Sequence, residues 1–458
     1  MFFKRGSKGR RRGAVIAGAA VVVALGLAGC SGGASGSSGG PADSGKVSWW
    51  SAAADVAVAE AQIAAFNKQY PNIKVTYKKV PTDTYPAVLK PALLSNNGPD
   101  VYAVQPGGQI PVATFGATAI DLTPAMKALR GNDWQNGLLP AGVEGFTVNG
   151  KLKAAAVGRV ASGILWINQG LFDKYNLAAP TTLDEWVKVC KTFRENGIGC
   201  FKQAVGAPGF DTDLIHTIIN SVKPGAFQDA VSGKIKWTDP AIVDGFTVLR
   251  DLTTDGIMDE GAAGIQQYPD VNNAFLAGKS PMAMFGTWYQ QYTQKDILAK
   301  AITAAGLPSD TPLPTLVPIT FPNVGGTTPG MITDVDYGVA VNSKSKNRNA
   351  ATTFALWLGA TKEGQQAIAD PLDEYPVLSG VQPNADTLAF VDKAVQQPAF
   401  VELGANVDKS TEPRFANINP TVLNALIAAD QSIVNGEATP EQAAATLQQV
   451  QDANPPKG

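Results

Sequence analysis

The stretch VSWWSAAADVAVAEAQIAAFNKQYPNIKVTY (47–77) sets the grammar of the whole chain. With Lys46, its first residues form a short β-type run that ends after Trp50, at Ser51 and a turn of small residues. Asp55 stands where it can cap a helix whose apolar positions Val56, Ala59, Ile63, Phe66 and Tyr70 keep helical spacing. Pro71 stops that helix, and Ile73–Tyr77 returns as an alternating strand. A second helix is expected over Tyr85–Leu94, closed by Asn96-Asn97-Gly98-Pro99, and a third strand over Asp100–Val104. Strand, helix, strand, helix, strand is the pattern of an α/β fold with a parallel sheet and helices on both faces. Ligands of such sheets bind beyond the carboxyl ends of the strands, which here are Trp50–Ser51 and Gln105–Gly108.

The same alternation continues along the chain. Ile164–Asn168 reads as a strand, and Thr182-Leu183-Asp184-Glu185 as a capping box opening a helix through Trp186, Val187, Cys190 and Phe193. Later helices are expected from about Lys346 to Leu358 and from Pro420 to Val434, and a last one begins with the box Thr439-Pro440-Glu441-Gln442. Prolines and glycines between Leu307 and Gly330 predict a long irregular crossing. No fixed-period repeat is present.

A length of 458 residues predicts two to three domains or lobes. A hydrophobic content of 45% excludes a mostly disordered chain, and a net charge of -2 argues against a nucleic-acid partner. That charge is unevenly distributed. Lys4, Arg5, Lys8, Arg10, Arg11 and Arg12 precede an apolar run from Ala14 to Ala28, too short for a comfortable membrane span and suited to a signal-peptide core. The run ends in Leu27-Ala28-Gly29-Cys30, which resembles a bacterial lipobox; that resemblance implies cleavage after residue 29 and diacylation of Cys30. SGGASGSSGGPADSGK (31–46) then reads as a flexible tether between lipid anchor and folded body. Removing residues 1–29 takes away six positive charges and changes the formal charge from -2 to -8. Such a protein is acidic, extracytoplasmic and held at the cell membrane. In an oxidising compartment Cys190 and Cys200 can form a bridge, or they remain two buried thiols.

Eight segments of the body, in order, resemble the extracellular solute-binding proteins of ABC importers, in the large sugar-binding family that includes maltose-binding protein. They are VSWWSA (47–52), AAFNKQYPNIKV (64–75), LLSNNGPDVYAV (93–104), FGATAIDLT (115–123), ILWINQGLFDKYNLAAPTTLDEW (164–186), AGKSPMAMFGTW (277–288), VAVNSKSKNRNAATTFALWL (339–358) and GEATPEQAAATL (436–447). The resemblance implies a two-lobed periplasmic-binding-protein-like fold, its lobes joined by hinge crossings with the ligand cleft between them. It places the N-terminal lobe at 47–156 with 335–376 and the C-terminal lobe at 157–334 with 377–458. It also implies a sugar ligand, a membrane permease with a cytoplasmic ATPase as partner, a monomeric receptor, no cofactor and no metal.

A pyranose has apolar faces and polar edges, so its site needs aromatic platforms beside planar hydrogen-bonding groups. Trp288, after the strand Pro281–Phe285, is the leading candidate, because the family commonly places a sugar-stacking aromatic there. Trp50 ends the first strand, and adjacent Trp49 must face the other way. Gln105 follows the third strand as a hydrogen-bonding candidate. Arg159 sits just after the first expected crossing, to fork onto a ligand or to form a surface ion pair. Trp166 is a candidate although the family usually has Tyr-Asn at this strand's end, where this chain has Ile167-Asn168. Phe210 and Asp211 lie in a Gly/Pro-flanked loop where the family often supplies an acid and an aromatic. Asp334, Asp336 and Tyr337 fall at the second crossing, and Tyr375 and Arg414 complete the set.

His216, the only histidine, reads as a core or rim residue, and its place excludes a Ser-His-Asp triad elsewhere. Ser343–Lys346 matches S-x-x-K without an accompanying K-T-G. There is no H-E-x-x-H, no phosphate-cradling G-x-x-x-x-G-K-[ST] and no G-x-G-x-x-G, and adjacent acids such as Asp259-Glu260 and Asp373-Glu374 read as solvated pairs, not as a glycosidase's two carboxyls. The expectation is a binding protein and not an enzyme, with a carbohydrate ligand. A secreted glycan hydrolase, or the same fold holding a polyol phosphate or a polyamine, is the alternative.

Overall fold

A computed structural model describes residues 44–415 and 418–456. The expected signal peptide, Cys30 and all but the end of the tether lie outside the described residues. The strands of its three larger sheets are β1 (Gly45–Ser51), β2 (Ile73–Lys79), β3 (Val101–Val104), β4 (Ala155–Ala156), β5 (Gly158–Ser162), β6 (Ile164–Asn168), β7 (Phe201–Lys202), β8 (Met282–Phe285), β9 (Leu316–Thr320), β10 (Ile332–Val335), β11 (Gly338–Val341), β12 (Tyr375–Pro376) and β13 (Glu412–Pro413). The helices that matter below are α1 (Val56–Gln69), α2 (Tyr85–Leu94), α3 (Leu183–Glu195), α4 (Phe210–Val222), α5 (Arg348–Ala360), α6 (Lys393–Lys409), α7 (Pro420–Val434) and α8 (Pro440–Ala453).

The first sheet has the order β2-β1-β3-β11-β4. β1 runs parallel to both β2 and β3, as the strand–helix–strand reading requires. β3 is buried at every position, which is why VYAV carries no polar alternation. β11 arrives from far along the chain and pairs antiparallel with both β3 and β4. The second sheet, β9-β6-β8-β7, is built around β6, with antiparallel neighbours on both sides. β9 lies inside the proline-rich stretch expected to be irregular. It forms an edge strand, the one place in a sheet where Pro318 costs no ladder bond.

One apolar core draws on 47–157 and 335–377, and another on 165–324 and 422–447. The third sheet, β12-β5-β10-β13, is assembled from the segments where the chain passes between them. β5 pairs antiparallel with β10 and β12, and β10 pairs parallel with β13. The fold is α/β and two-lobed, with the lobes joined by these crossings.

Local signals are followed with instructive exceptions. α1 turns Val58, Ala59, Gln62 and Phe66 inward, whereas Val56 is 51% exposed, so its buried face is rotated from the one the spacing suggested. Phe66 meets Phe354 and Trp357 of α5 edge-on at 5.1 and 5.2 Å, and that contact selects the face. Asp55 precedes α1 without capping it. Thr182 accepts the N–H of Glu185 at 3.3 Å, but the Glu185 carboxylate reaches back to Thr181. At α8 the reciprocal box of Thr439 and Gln442 is complete. Among the described residues no helix is long and apolar enough to cross a membrane.

Cys190 of α3 and Cys200 are joined in a disulfide, with Cα atoms 5.1 Å apart. Its loop is closed over a sequence separation of 10. A loop of this length predicts that replacing both cysteines by alanine lowers the unfolding free energy by about 2–3 kcal/mol. Urea denaturation of the double variant measures this directly, and an unchanged midpoint would show that the bridge adds nothing.

Candidate functional site

The three sheets converge on Arg414, just after β13. Arg414 is 8% exposed. Its Nε lies 3.0 Å from both carboxylate oxygens of Asp213, and its terminal nitrogens reach Asp213 at 2.9 Å and Asp336 at 3.3 Å. The guanidinium stacks over the indole of Trp288 at 4.7 Å and faces the Phe415 ring at 5.0 Å. Burial works against its charge, yet Asp213 and Asp336 hold that charge firmly and push its pKa up.

The surrounding groups extend this centre in both chemical directions. Trp288 donates its N–H to the Tyr268 hydroxyl at 3.1 Å. The Phe210 ring lies 5.8 Å from that of Tyr268 and 6.2 Å from that of Trp288. Gln105 lies beside Asp336 and favours its charged form, and Asp334 accepts the N–H of Phe415 at 3.3 Å. Burial raises the pKa of Asp336 against the pull of Arg414, and raises Asp334 despite its backbone donors. Gly286 has a definite role here, since a Cβ on it would come within 2.0 Å of the Trp288 ring. Only glycine lets the indole fold back over the end of β8.

Contacts across the same region bring residues after β1 and β3 onto residues that follow β7, β8 and β13. Gln109 donates to the Pro208 carbonyl at 3.0 Å. The Tyr292 hydroxyl bonds the Asp55 carboxylate, which also pairs with Lys79 at 3.2 Å. This is where the expected capping carboxylate of Asp55 goes. Phe415 packs against Gly108, whose φ of +66° would strain any other residue and where an added Cβ would lie a tight 3.3 Å from that ring.

The sequence-derived candidates divide clearly. Gln105, Phe210, Trp288, Asp334, Asp336 and Arg414 are brought together. Arg159 and Tyr375 form a neighbouring group in which the guanidinium lies 5.9 Å above the ring, Arg159 pairs with Asp408, and Tyr375 donates to Gln290 at 3.4 Å. Trp50 faces away from Trp49, as strand alternation requires, but it is half-buried under the Lys78 ammonium at 4.0 Å. Among the described residues it shares no hydrogen bond or ring contact with the Arg414 cluster.

Three candidates need correction. Trp166 is fully buried, packs on Tyr289 at 5.5 Å and donates to the Gly286 carbonyl, so it is a core residue beneath the site. Tyr337 is buried in the first core with only 1% exposure, because the crossing turns it inward next to Asp336. Asp211 belongs to the first turn of α4 and not to a loop. Helical periodicity therefore points it away from Phe210 and puts Asp213 on Phe210's face. That periodicity was the signal by which Asp213 could have been found. Tyr268 and Phe415 carried no such mark.

Two pairs of acids are buried, the first of them against expectation. Asp373 and Glu374 are 3% and 6% exposed, each with an oxygen lacking a hydrogen-bond partner, instead of being solvated. Asp211 faces Asp430 of α7, and both are buried. Burial pushes Asp373 and Asp211 up to about 7, and pushes Glu374 and Asp430 well above the ordinary carboxyl range.

This geometry offers flat aromatic surface beside forked donors and acceptors, which is chemistry for holding a polar ring. Among the described residues no group of three or more His, Cys, Asp or Glu is arranged to hold a metal ion. Residues 49–367 match the sequence profile of the bacterial extracellular solute-binding proteins. The chain belongs to that family. A relative described as an ABC transporter extracellular-binding protein of Pyrococcus horikoshii is 21% identical over 403 residues, covering 85% of this chain and 84% of its own. The structure resembles a chitin oligosaccharide binding protein with a TM-score of 0.68 at 21% identity, covering 90% of this chain and 99% of the other. It also resembles a maltose-bound T. maritima protein with a TM-score of 0.69 at 20% identity, covering 89% and 99%. These are binding proteins, and this family member is a binding protein and not an enzyme.

The raised acids predict a pH dependence of stability. An acid with a raised folded-state pKa holds its proton more tightly when folded, so its contribution is lost as pH rises from about 4, the unfolded value, through the folded value. For Asp211 and Asp373 that folded value is about 7. The melting temperature should fall across this window, and Asp211→Asn with Asp373→Asn should flatten the fall. A profile that rises with pH over the same range would contradict the assignment.

Proposed function

We propose that this solute-binding protein is the lipid-anchored receptor of an ABC importer for a carbohydrate, an oligosaccharide or glycoside. The N-terminal lobe comprises 47–156 and 335–376, the C-terminal lobe 157–334 and 377–458, and the ligand lies between them. The observation that carries this reading is the Arg414–Trp288–Asp336 cluster, which pairs an aromatic surface with planar polar groups where the chain crosses between cores. The sugar names of the two structural relatives agree with that chemistry. Contacts drawn from both lobes exist only when the cleft is closed, so binding shifts the population toward the closed form, which then docks on the permease. Net binding near -8 kcal/mol, a dissociation constant of about 1 μM, is within reach of stacking plus several hydrogen bonds.

Calorimetry against maltose, maltotriose, chitin oligosaccharides, a polyol phosphate and a polyamine tests the ligand class. Saturable binding of a neutral sugar without turnover is expected, and binding only of the amine or the phosphate would overturn the sugar assignment. Trp288→Ala should weaken that binding at least about tenfold, the scale of a lost aromatic anchor, while the melting temperature stays within a few degrees. Unchanged affinity would remove Trp288 from the site. Cys30→Ser should abolish incorporation of labelled palmitate and release the protein from the cell membrane. Retention of label in that variant would exclude Cys30 as the anchor.

A further inference from the structure

Arg414 can only serve the cleft if its guanidinium is held in one plane, and its neighbour in the strand suggests how. Glu412, in β13, and Arg414, just after it, flank Pro413 and both reach side chains of α4. α4 presents Asp213, His216 and Asn220, three and then four residues apart, on one helical face. Asp213 takes Arg414. His216 Nε2 donates to Glu412 Oε1 at 2.7 Å, and Asn220 Nδ2 donates to Glu412 Oε2 at 2.8 Å. The imidazole is fully buried and stacked on Phe227, with centroids 4.2 Å apart and planes 20° from parallel. Gln228 donates to the Pro413 carbonyl at 2.9 Å, and the Arg414 N–H bonds the Thr333 carbonyl at 3.1 Å.

We infer that His216 and Glu412 are positioning residues for ligand binding: their bond fixes the register of β13 on α4 and so holds Arg414 over Trp288. The inference rests on the proposed sugar site for its functional meaning, but not for its structural test. The buried imidazole packs on Phe227 of the second core, but among the described residues its one hydrogen bond goes to a partly exposed carboxylate on a two-residue strand. What it determines is where residue 414 starts. Charge-assisted bonds to both carboxylate oxygens leave Glu412 one orientation. Without them, the strand itself keeps its ladder to β10 and the bond from Gln228, and the residues after it keep the pairs of Arg414 and the Phe415 N–H bond to Asp334.

The test uses the full chain labelled with 5-fluorotryptophan, with the Trp288 resonance assigned by Trp288→Phe and its released position defined by Arg414→Ala. His216→Leu fills the space on Phe227 without a donor, Glu412→Ala removes the acceptor, and His216→Gln restores a donor. The first two should move the Trp288 resonance toward its position in Arg414→Ala and leave the other tryptophans in place. His216→Gln should return it. With maltose as the probe sugar, His216→Leu and Glu412→Ala should weaken binding about tenfold, the size of a lost bond to a charged group. If His216→Leu fails to fold, Glu412→Ala decides, because that side chain is 24% exposed and outside either core. A Trp288 resonance unmoved in the folded variants overturns the inference, whatever maltose does. A moved resonance without maltose binding by the unaltered chain keeps the positioning role and counts against the sugar reading for maltose.

Discussion

A buried guanidinium cannot be left unpaired, because an isolated charge taken out of water costs several kcal/mol even after relaxation. Arg414 meets that demand with Asp213 from α4 and Asp336 from the crossing between β10 and β11. Two segments far apart in sequence must therefore come to one point before the charge is satisfied. The indole of Trp288 covers one face of the cation. The cluster is thus a by-product of solving an electrostatic problem beside the crossings, and its aromatic and polar elements are arranged in the same step.

The crossings supply the geometry for this. β11 joins the first sheet although most of the second core lies between it and β3 in sequence. β5, β10, β12 and β13 make a small sheet from four distant pieces, so the residues beside them, among them Arg159, Asp336, Tyr375 and Arg414, become neighbours. An arrangement of this kind permits relative motion of two well-packed bodies, because few strands join them. It also concentrates acids: Asp336, Asp373 and Glu374 all lie near these crossings, and burial keeps their protons on at pH values where exposed carboxyls have lost them.

Much of the local structure was legible in the chain. The parallel arrangement of β1, β2 and β3 followed from hydrophobic period and turn residues, and so did α7 and the box at α8. Trp288, named for its position after a strand, and Asp336 and Arg414, named for their place near expected crossings, come together in the structure. Errors arose where a local rule met a distant partner. Val56 fits a helical stripe, yet α5 packs on the neighbouring face. Asp55 has the right position to cap α1, yet Lys79 and Tyr292 take its carboxylate. Trp166 looks like a strand-end aromatic, but the loop after β8 covers it.

By itself the sequence determined the α/β alternation, the basic and apolar character of residues 4–28, the Gly/Ser-rich run of 31–46 and the inventory of aromatic and planar polar groups. Only the tertiary structure decided that Arg414, and not Trp166 or Asp211, stands at the centre of the cluster. It alone joined Cys190 to Cys200 and put Asp373 and Glu374 under cover. The reason is range. Helical and strand periods act over a few residues and can be counted along the chain. Burial, desolvation and the pairing of a charge depend on which distant segments arrive at the same place, and that is settled when the crossings form.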